Sequence, residues 1–165
     1  MYEVFGEFNS AEEINKAAEG LKNEGDIENL YKLAEENGID RSFAEMYVQG
    51  AMPFLCDVAM AAAGKIAVEE GELKPKELIA DWVEYIKSSC MEDDTLAEAV
   101  RKSDKTLKGC LAVILKWSYE NRYKVDDKIV ELSGIKSKDE SLRSIEMGIP
   151  GMGTAKKLIK EYYLG

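Results

Sequence analysis

The sequence predicts an all-α protein, a compact bundle of about nine mostly short helices around a central helix at residues 106–122. Three observations favour this class. The chain has only three prolines among 165 residues, and it is rich in the strong helix formers alanine, glutamate, lysine and leucine. Apolar residues recur at intervals of three and four, the period of a helix with one buried face. Residues that cap helices, and glycines that end them, separate these apolar stretches.

The segment 105–123 has the most regular apolar pattern and is the candidate for the central, largely buried helix. Ser103 or Asp104 is expected to cap its N-terminus by accepting backbone N–H groups. Arg122 and Lys124 lie near its C-terminus, where positive charge interacts favourably with the helix dipole. The apolar positions that share one face are Leu107, Cys110, Leu111, Ile114, Leu115 and Trp117.

Residues 1–50 predict a short extended arm followed by three short helices. Residues 1–9 alternate apolar and polar side chains, and we expect this arm to pack on the body of the protein. Helices this short are marginal in isolation, so burial must stabilise them. The predicted N-caps with their helix stops are Ser10 with Gly25, Asp26 with Asn37-Gly38, and Asp40 with Gly50.

Two longer helices come next. The first, at residues 53–70, carries a run of alanines and Gly64 that permits close approach, so we expect another helix to cross it at short distance. A partner groove lined by Met52, Met60 and these alanines is the functional alternative. The second helix, at residues 75–91, has a proline in its first turn.

The remaining helices are short. Asp94 is expected to cap a helix at residues 95–103, ahead of the central helix. After the central helix, the sequence predicts a helix capped by Asp126 and ended by Gly134. A further helix is opened by Ser137 with Glu140 and carries Leu142 and Ile145. A turn at residues 148–153 and a final helix at residues 154–165 complete the chain.

The composition argues against catalysis. The chain has no histidine, which removes histidine-based acid–base catalysis, histidine-activated nucleophiles and nearly all zinc sites. It also has no glycine-rich phosphate loop. Cys56, Cys90 and Cys110 lie in apolar helical settings at spacings that match no metal motif, so we expect buried, unpaired thiols in a reducing cytosol. The sequence therefore predicts a protein that is not an enzyme and has no cofactor or metal.

Charge is distributed unevenly along the chain, whose net charge is −10. Residues 1–100 carry 23 acidic and 8 basic side chains, whereas residues 101–165 carry 9 acidic and 14 basic ones. We distinguish an acidic helical part at 1–100 from a part at 101–165 with the central helix and the C-terminal glycine turn and helix, and expect one compact domain. An acidic surface attracts basic partners. The residues expected to contact such a partner are Glu69, Glu70, Glu72, Glu92, Asp93 and Asp94.

No membrane association is expected. The N-terminus lacks the basic and apolar regions of a signal peptide, and the uncharged runs fall well short of the ~18 residues of a membrane span. We therefore expect a cytoplasmic protein. The acidic run at 92–94 also lacks the alternating ligand spacing of a calcium loop, so a solvated connection is expected there instead of a metal site.

A glycine-rich turn before the last helix offers a second kind of site. Gly151, Gly153, Lys156 and Lys157 resemble the second half of a helix-hairpin-helix module, in which backbone amides and basic side chains bind nucleic-acid phosphates. In that module an alanine follows the second glycine by about four positions, whereas Ala155 follows Gly153 by two. An ordinary glycine turn between two helices is the alternative.

One group of residues resembles a known family. The shared pattern is a lysine, a hydroxyl residue and an aliphatic residue, followed by a cysteine, an isoleucine and a closing aromatic pair. In this chain the pattern comprises Leu96-Ala97, Lys105-Thr106-Leu107, Cys110, Ile114, Trp117 and Tyr162-Tyr163. Over roughly the last 70 residues the chain thereby resembles the PcfK-like proteins. The histidine that often precedes the aromatic pair in that family is replaced here by Lys160-Glu161.

PcfK-like proteins are encoded on conjugative plasmids and other mobile elements, and the family includes anti-CRISPR proteins that inhibit Cas9. The resemblance implies a non-catalytic bacterial protein that binds a protein or ribonucleoprotein with a basic groove, with Cas9 as the suggested target. An acidic protein suits this role because Cas9 holds nucleic acid in basic channels. Two alternatives remain: an accessory protein of conjugation that contacts DNA through residues 148–160, and a structural or oligomerising protein of a phage or plasmid.

Overall fold

The computed structural model describes residues 3–135 and 144–165 and confirms the all-α class. Its described residues form nine α-helices and one short two-stranded antiparallel sheet. The helices are α1 (Ala11–Glu24), α2 (Ile27–Glu36), α3 (Arg41–Val48), α4 (Val58–Leu73), α5 (Leu78–Glu92), α6 (Asp94–Arg101), α7 (Leu107–Glu120), α8 (Asp127–Ser133) and α9 (Met152–Leu164). The strands are β1 (Tyr123–Lys124) and β2 (Glu146–Met147).

The first three helices begin where their capping residues predict. The side chains of Ser10, Asp26 and Asp40 each accept a backbone N–H group at the start of α1, α2 and α3. Gly25 ends α1 in the left-handed conformation, with φ of 75°. Residues 3–9 are not helical, and the arm packs on these helices through Phe5, as predicted.

Two hydrophobic clusters make up the core, and α4 belongs to both. The N-terminal cluster joins α1, α2 and α3 with the segment before α4 and with Ala61 of α4 itself. The C-terminal cluster joins α5, α6, α7 and α9 with Ala62 and Ile66 of α4. The packing therefore divides the chain at α4, whereas the charge distribution divides it near residue 100.

Helices α5 and α6 pack on α4, as the small residues predict, whereas at Gly64 itself the close approach is to a turn. Gly64 of α4 packs directly on the backbone of Asn37 and Gly38, the turn that ends α2. A Cβ atom on Gly64 would overlap the Asn37 carbonyl oxygen. Gly38 has φ of 66°, a conformation that glycine adopts readily. Glycine at both positions lets α2 and α4 meet at this distance.

Two buried cations reinforce the contact between the clusters. Lys65 is completely buried, lies 3.0 Å from a Glu7 carboxylate oxygen and donates to the Lys102 carbonyl oxygen. Arg101 is also buried, and its guanidinium donates to Asn37 Oδ1 at 2.5 Å. Lys65 thus has a carboxylate partner, whereas Arg101 has only this amide oxygen, and its Nε and Nη1 have no hydrogen-bond partner in the described structure.

The helix predicted at residues 106–122 is α7, with two differences from the prediction. Its N-cap is Thr106, whose hydroxyl accepts the Gly109 N–H at 3.0 Å, and not Ser103 or Asp104. Its burial is narrower than predicted, because α4 and α9 cover only one face. The buried residues of α7 are Leu107, Cys110 and Ile114.

Other boundaries differ from the predictions at prolines and charged residues. Helix α4 begins at Val58, after a non-helical segment that contains Pro53. Helix α5 begins at Leu78, so Pro75 precedes it. Asp93 caps α6, and Asp94, the predicted cap, is the first helical residue.

The region after α7 is partly as predicted. Asp126 caps α8, and Gly134 ends it in the left-handed conformation. The helix expected from Ser137 and Glu140 lies largely outside the described residues. Its predicted end is wrong, because Ile145 is not helical and the next two residues form β2, which pairs with β1.

Candidate functional site

The carboxylates of Glu69, Glu70 and Glu72 are engaged within the protein. Glu69 accepts the Leu107 backbone N–H at the start of α7. Burial raises the pKa of the Glu69 carboxyl. Glu70 forms an ion pair with Lys87 of α5 at 2.9 Å, and Glu72 lies 3.7 Å from a lysine of α7. These contacts join α4 to its neighbours, and that the three residues contact a partner stays a prediction.

In the second acidic group, at residues 92–94, one carboxylate caps a helix and the other two side chains are exposed. The Asp93 carboxylate accepts the Leu96 backbone N–H at 3.2 Å and caps α6. Glu92 and Asp94 are exposed at the junction of α5 and α6. Within residues 3–135 and 144–165, no group of three acidic or cysteine side chains is arranged to hold a metal ion.

The glycine turn lacks the geometry of a helix-hairpin-helix module. Strand β2 precedes the turn where the module needs a helix, and Gly153 lies inside the first turn of α9. Lys156 lies over the Tyr85 ring at 4.6 Å from its centroid. Lys157 pairs with Glu161 at 3.6 Å. The first glycine, Gly151, is the N-cap residue of α9, so no side chain caps this helix.

The three cysteines are buried and unpaired, as predicted. Burial raises the pKa of each thiol to about 12. A thiol with such a pKa stays protonated near neutral pH and is a poor nucleophile. The cysteines therefore serve as small core residues.

An apolar groove lies between α5, α7 and the loop that joins α4 to α5, and we call it the α5–α7 groove. Its volume is about 480 Å³. Exposed apolar side chains stand on both walls, since Ile79 of α5 is 42% exposed and Leu115 of α7 is 70% exposed. The lining residues are Leu73, Lys74, Pro75, Lys76, Ile79, Trp82, Leu111, Leu115 and Ser118.

The loop at the rim of this groove has a strained backbone. Lys74 has φ of 50° and Glu77 has φ of 51°, and among the described residues no other non-glycine residue has a positive φ. Each such residue costs roughly 1–3 kcal/mol, and strain of this kind concentrates at functional sites. The strained loop presents two lysines, Lys74 and Lys76, at the edge of the groove.

The charged residues at the groove are basic, although the chain as a whole is acidic. Lys74 and Lys76 are its charged lining residues, and neither pairs with a carboxylate of residues 3–135 or 144–165. Trp82 is nearly buried in the wall, and its indole N–H has no partner in the described structure. An apolar groove with a positive rim recognises an apolar segment that carries acidic side chains.

Comparison of the chain with protein-family models, curated proteins and solved structures finds no match. Within the described part of the chain, no helix is both long enough and apolar enough to cross a bilayer.

The groove is not evident from the sequence, because its lining comes from separate segments. The spacing of Leu111 and Leu115 predicts that both lie on the buried face of the central helix. The signal that points to the groove is the width of the apolar stripe on α7, which exceeds the face that α4 and α9 cover. The second wall, around Ile79, lies more than thirty residues away in sequence.

Proposed function

We propose that this chain is a non-catalytic protein-binding module and that the α5–α7 groove holds its partner. The observation that carries this proposal is the pair of exposed apolar walls around Ile79 and Leu115. Contiguous exposed apolar surface with a polar rim is typical of protein interaction sites. Backbone strain at Lys74 and Glu77 supports the same location.

The form of the groove favours an amphipathic helix as the bound segment. Such a helix lays its apolar face into a groove through side chains spaced three or four residues apart. Carboxylates beside that face would meet Lys74 and Lys76 at the rim. Apolar contacts would then supply most of the affinity, and the lysines would orient the partner and accelerate its association.

For the identity of the partner we propose Cas9, on the resemblance to the PcfK-like proteins. The net charge of −10 supports attraction to a protein with basic channels. The exposed carboxylates of Glu92 and Asp94 are available for this attraction, whereas those of Glu69 and Glu70 are engaged within the protein. The resemblance is the basis for choosing Cas9 among basic partners.

DNA cleavage by guide-loaded Cas9, measured with a large excess of this chain, tests both proposals. We expect slower cleavage by at least one of several Cas9 orthologues. Leu115→Glu places a charge in the groove and should abolish the inhibition. Met91→Glu is the matched control, because Met91 is a similarly exposed apolar residue, 64% accessible, outside the groove. Circular dichroism should show that both variants keep the helical fold.

The outcomes separate the partner from the site. Unchanged cleavage for every orthologue would contradict Cas9 as the partner. Inhibition that persists in Leu115→Glu would contradict the groove as the binding surface. Equal loss of inhibition in Leu115→Glu and Met91→Glu would also contradict it, since the effect would then follow added negative charge and not position.

A further inference from the structure

We infer that a small oxyanion, such as inorganic phosphate or sulfate, binds in a cavity between the N-termini of α1 and α4 and the C-terminal end of α6. We call it the Arg101 cavity, and its volume is about 300 Å³. It shares no lining residue with the α5–α7 groove, so this inference does not depend on the proposed function. The lining includes Ala11, Glu12, Val58, Glu98, Arg101 and Lys102.

A buried guanidinium without a carboxylate partner lies at this cavity. Arg101 is 1% exposed, and its Nη2 donates to the Asn37 side-chain oxygen. Its Nε and Nη1 have no acceptor in residues 3–135 and 144–165, and no carboxylate of these residues forms an ion pair with it. A buried charge is strongly unfavourable without an anionic partner, and little water screens its attraction for one. The adjoining cavity is therefore favourable for an anion.

Two helices begin at the same cavity. Ala11 and Glu12 are the first residues of α1, a helix of 14 residues, and Val58 is the first residue of α4, a helix of 16 residues. The backbone N–H groups of these three residues have no acceptor within the described parts of the chain. Free N–H groups and the positive end of the helix dipole make a helix N-terminus favourable for phosphate or sulfate oxygens.

The capping side chains leave these N–H groups available. The Ser10 hydroxyl accepts the Glu13 N–H at 3.1 Å, and the Asp57 carboxylate accepts the Met60 N–H at 2.7 Å. Each cap therefore bonds to the third residue of its helix and not to the first or second. An anion can accept from the first turns of α1 and α4 without displacing either cap.

The other charges around the cavity are mixed and exposed. Lys102 is positive, whereas Glu12, Glu98 and the capping Asp57 are negative, and water screens all four side chains. The C-terminal end of α6 adds a partial negative charge, which is reduced because the Lys102 carbonyl accepts from Lys65 Nζ. More distant carboxylates act weakly, since the Debye length at physiological ionic strength is about 8 Å. The buried Arg101 charge and the two helix N-termini therefore dominate.

These surroundings favour a small oxyanion over a polyanion. The donors lie on three helices, and the four oxygens of phosphate or sulfate can accept from several of them at once. The exposed carboxylates of Glu12 and Glu98 repel nucleic acid, in which further phosphates would lie close to them. Because α1 belongs to the N-terminal cluster and α6 to the C-terminal cluster, a bound anion joins the two parts of the core.

Phosphate titration of the full chain tests this inference, with sodium chloride adjusted to hold the ionic strength constant. Isothermal titration calorimetry should show saturable binding of one phosphate per chain, with a millimolar dissociation constant. Only the folded chain has the cavity, so phosphate should also stabilise it against urea. At about ten times the dissociation constant, phosphate should raise the folding equilibrium constant about elevenfold.

Four variants locate the bound phosphate. Glu98→Gln removes a carboxylate from the lining and should bind phosphate at least twofold more tightly. Glu131→Gln is the matched control, because it makes the same change at an exposed residue outside the lining, and it should bind as the wild type does. Lys102→Gln should bind at least twofold more weakly. Arg101→Met should show no saturable binding, and the two exposed lining variants test the site even where this buried replacement fails to fold.

Several outcomes overturn the inference. One is a wild-type chain that shows no saturable binding of phosphate. Another is an equal gain in affinity for Glu98→Gln and Glu131→Gln, because the effect would then follow net charge and not position. Unchanged affinity in Lys102→Gln, or in a folded Arg101→Met, also places the anion elsewhere. A single-stranded oligonucleotide that displaces phosphate would identify a nucleic-acid site and overturn the assignment to a free oxyanion.

Discussion

Replacement of Gly64 by alanine tests the contact that joins α2 to α4. In a helix interior, alanine is more favourable than glycine by about 0.5–1 kcal/mol, so propensity alone predicts stabilisation. The structure predicts the opposite, because the new Cβ atom would overlap the Asn37 carbonyl oxygen and lie 3.2 Å from backbone atoms of Gly38. Asn37 cannot retreat easily, since its side chain bonds to both the Leu33 carbonyl and Arg101.

The magnitude follows from these opposing effects. Overpacking of a well-packed site costs typically about 1–3 kcal/mol, and a clash with backbone is at the upper end of that range. After the gain in helix propensity, we expect Gly64→Ala to lower the free energy of unfolding by about 2 kcal/mol. Urea denaturation followed by far-ultraviolet circular dichroism measures this difference directly.

Gly71→Ala is the matched control on the same helix. A Cβ atom at Gly71 would have no atom within 4 Å, so only the propensity gain applies and the variant should be slightly more stable than the wild type. The two substitutions make the same chemical change in α4 and differ only in their surroundings. If Gly64→Ala proves as stable as Gly71→Ala, the close packing of α4 on the α2 turn is refuted.

Three further predictions follow from burial. Burial raises the pKa of Glu69 above its ordinary value of 4.5, so protonation of this carboxyl stabilises the folded state at low pH, and that stabilisation is lost as pH rises through the raised pKa. The stability advantage of the wild type over Glu69→Gln, measured by urea denaturation, should therefore fall from pH 4.5 upward. A difference that does not change with pH would contradict this. All three buried thiols should resist a disulfide reagent at pH 8 and react fully in urea, whereas fast reaction of the folded protein would refute their burial. Ile114→Ala should cost about 2–5 kcal/mol of unfolding free energy and Leu115→Ala less than about 0.5 kcal/mol, because only Ile114 is buried; equal losses would refute the placement of α7.

The parts of the fold that the sequence predicted depend on neighbouring residues. Ser10, Asp26 and Asp40 each bond to an N–H group two or three residues further along the chain, so the capping pattern contains all the necessary information. Apolar spacing likewise identifies which side of a helix is buried. For this reason the sequence predicts the approximate number of helices and most of the residues at which they begin.

The predictions that failed concern contacts between residues that are far apart in sequence. Glu69 was interpreted as a surface carboxylate because nothing near it indicates that the Leu107 N–H, 38 residues away, will be its partner. The burial of Lys65 and Arg101 was not predicted, since a lysine or arginine on a helix usually faces solvent. Their partners, Glu7 and Asn37, also come from distant segments.

The apolar stripe of α7 shows how one pattern can serve two purposes. Leu107, Cys110 and Ile114 face α4 and α9 and are completely buried, so they belong to the core. Leu115 continues the same stripe and is 70% exposed, and it forms one wall of the groove together with Leu111, which is partly buried against the core. We therefore place the proposed partner site at the exposed edge of this stripe on α7.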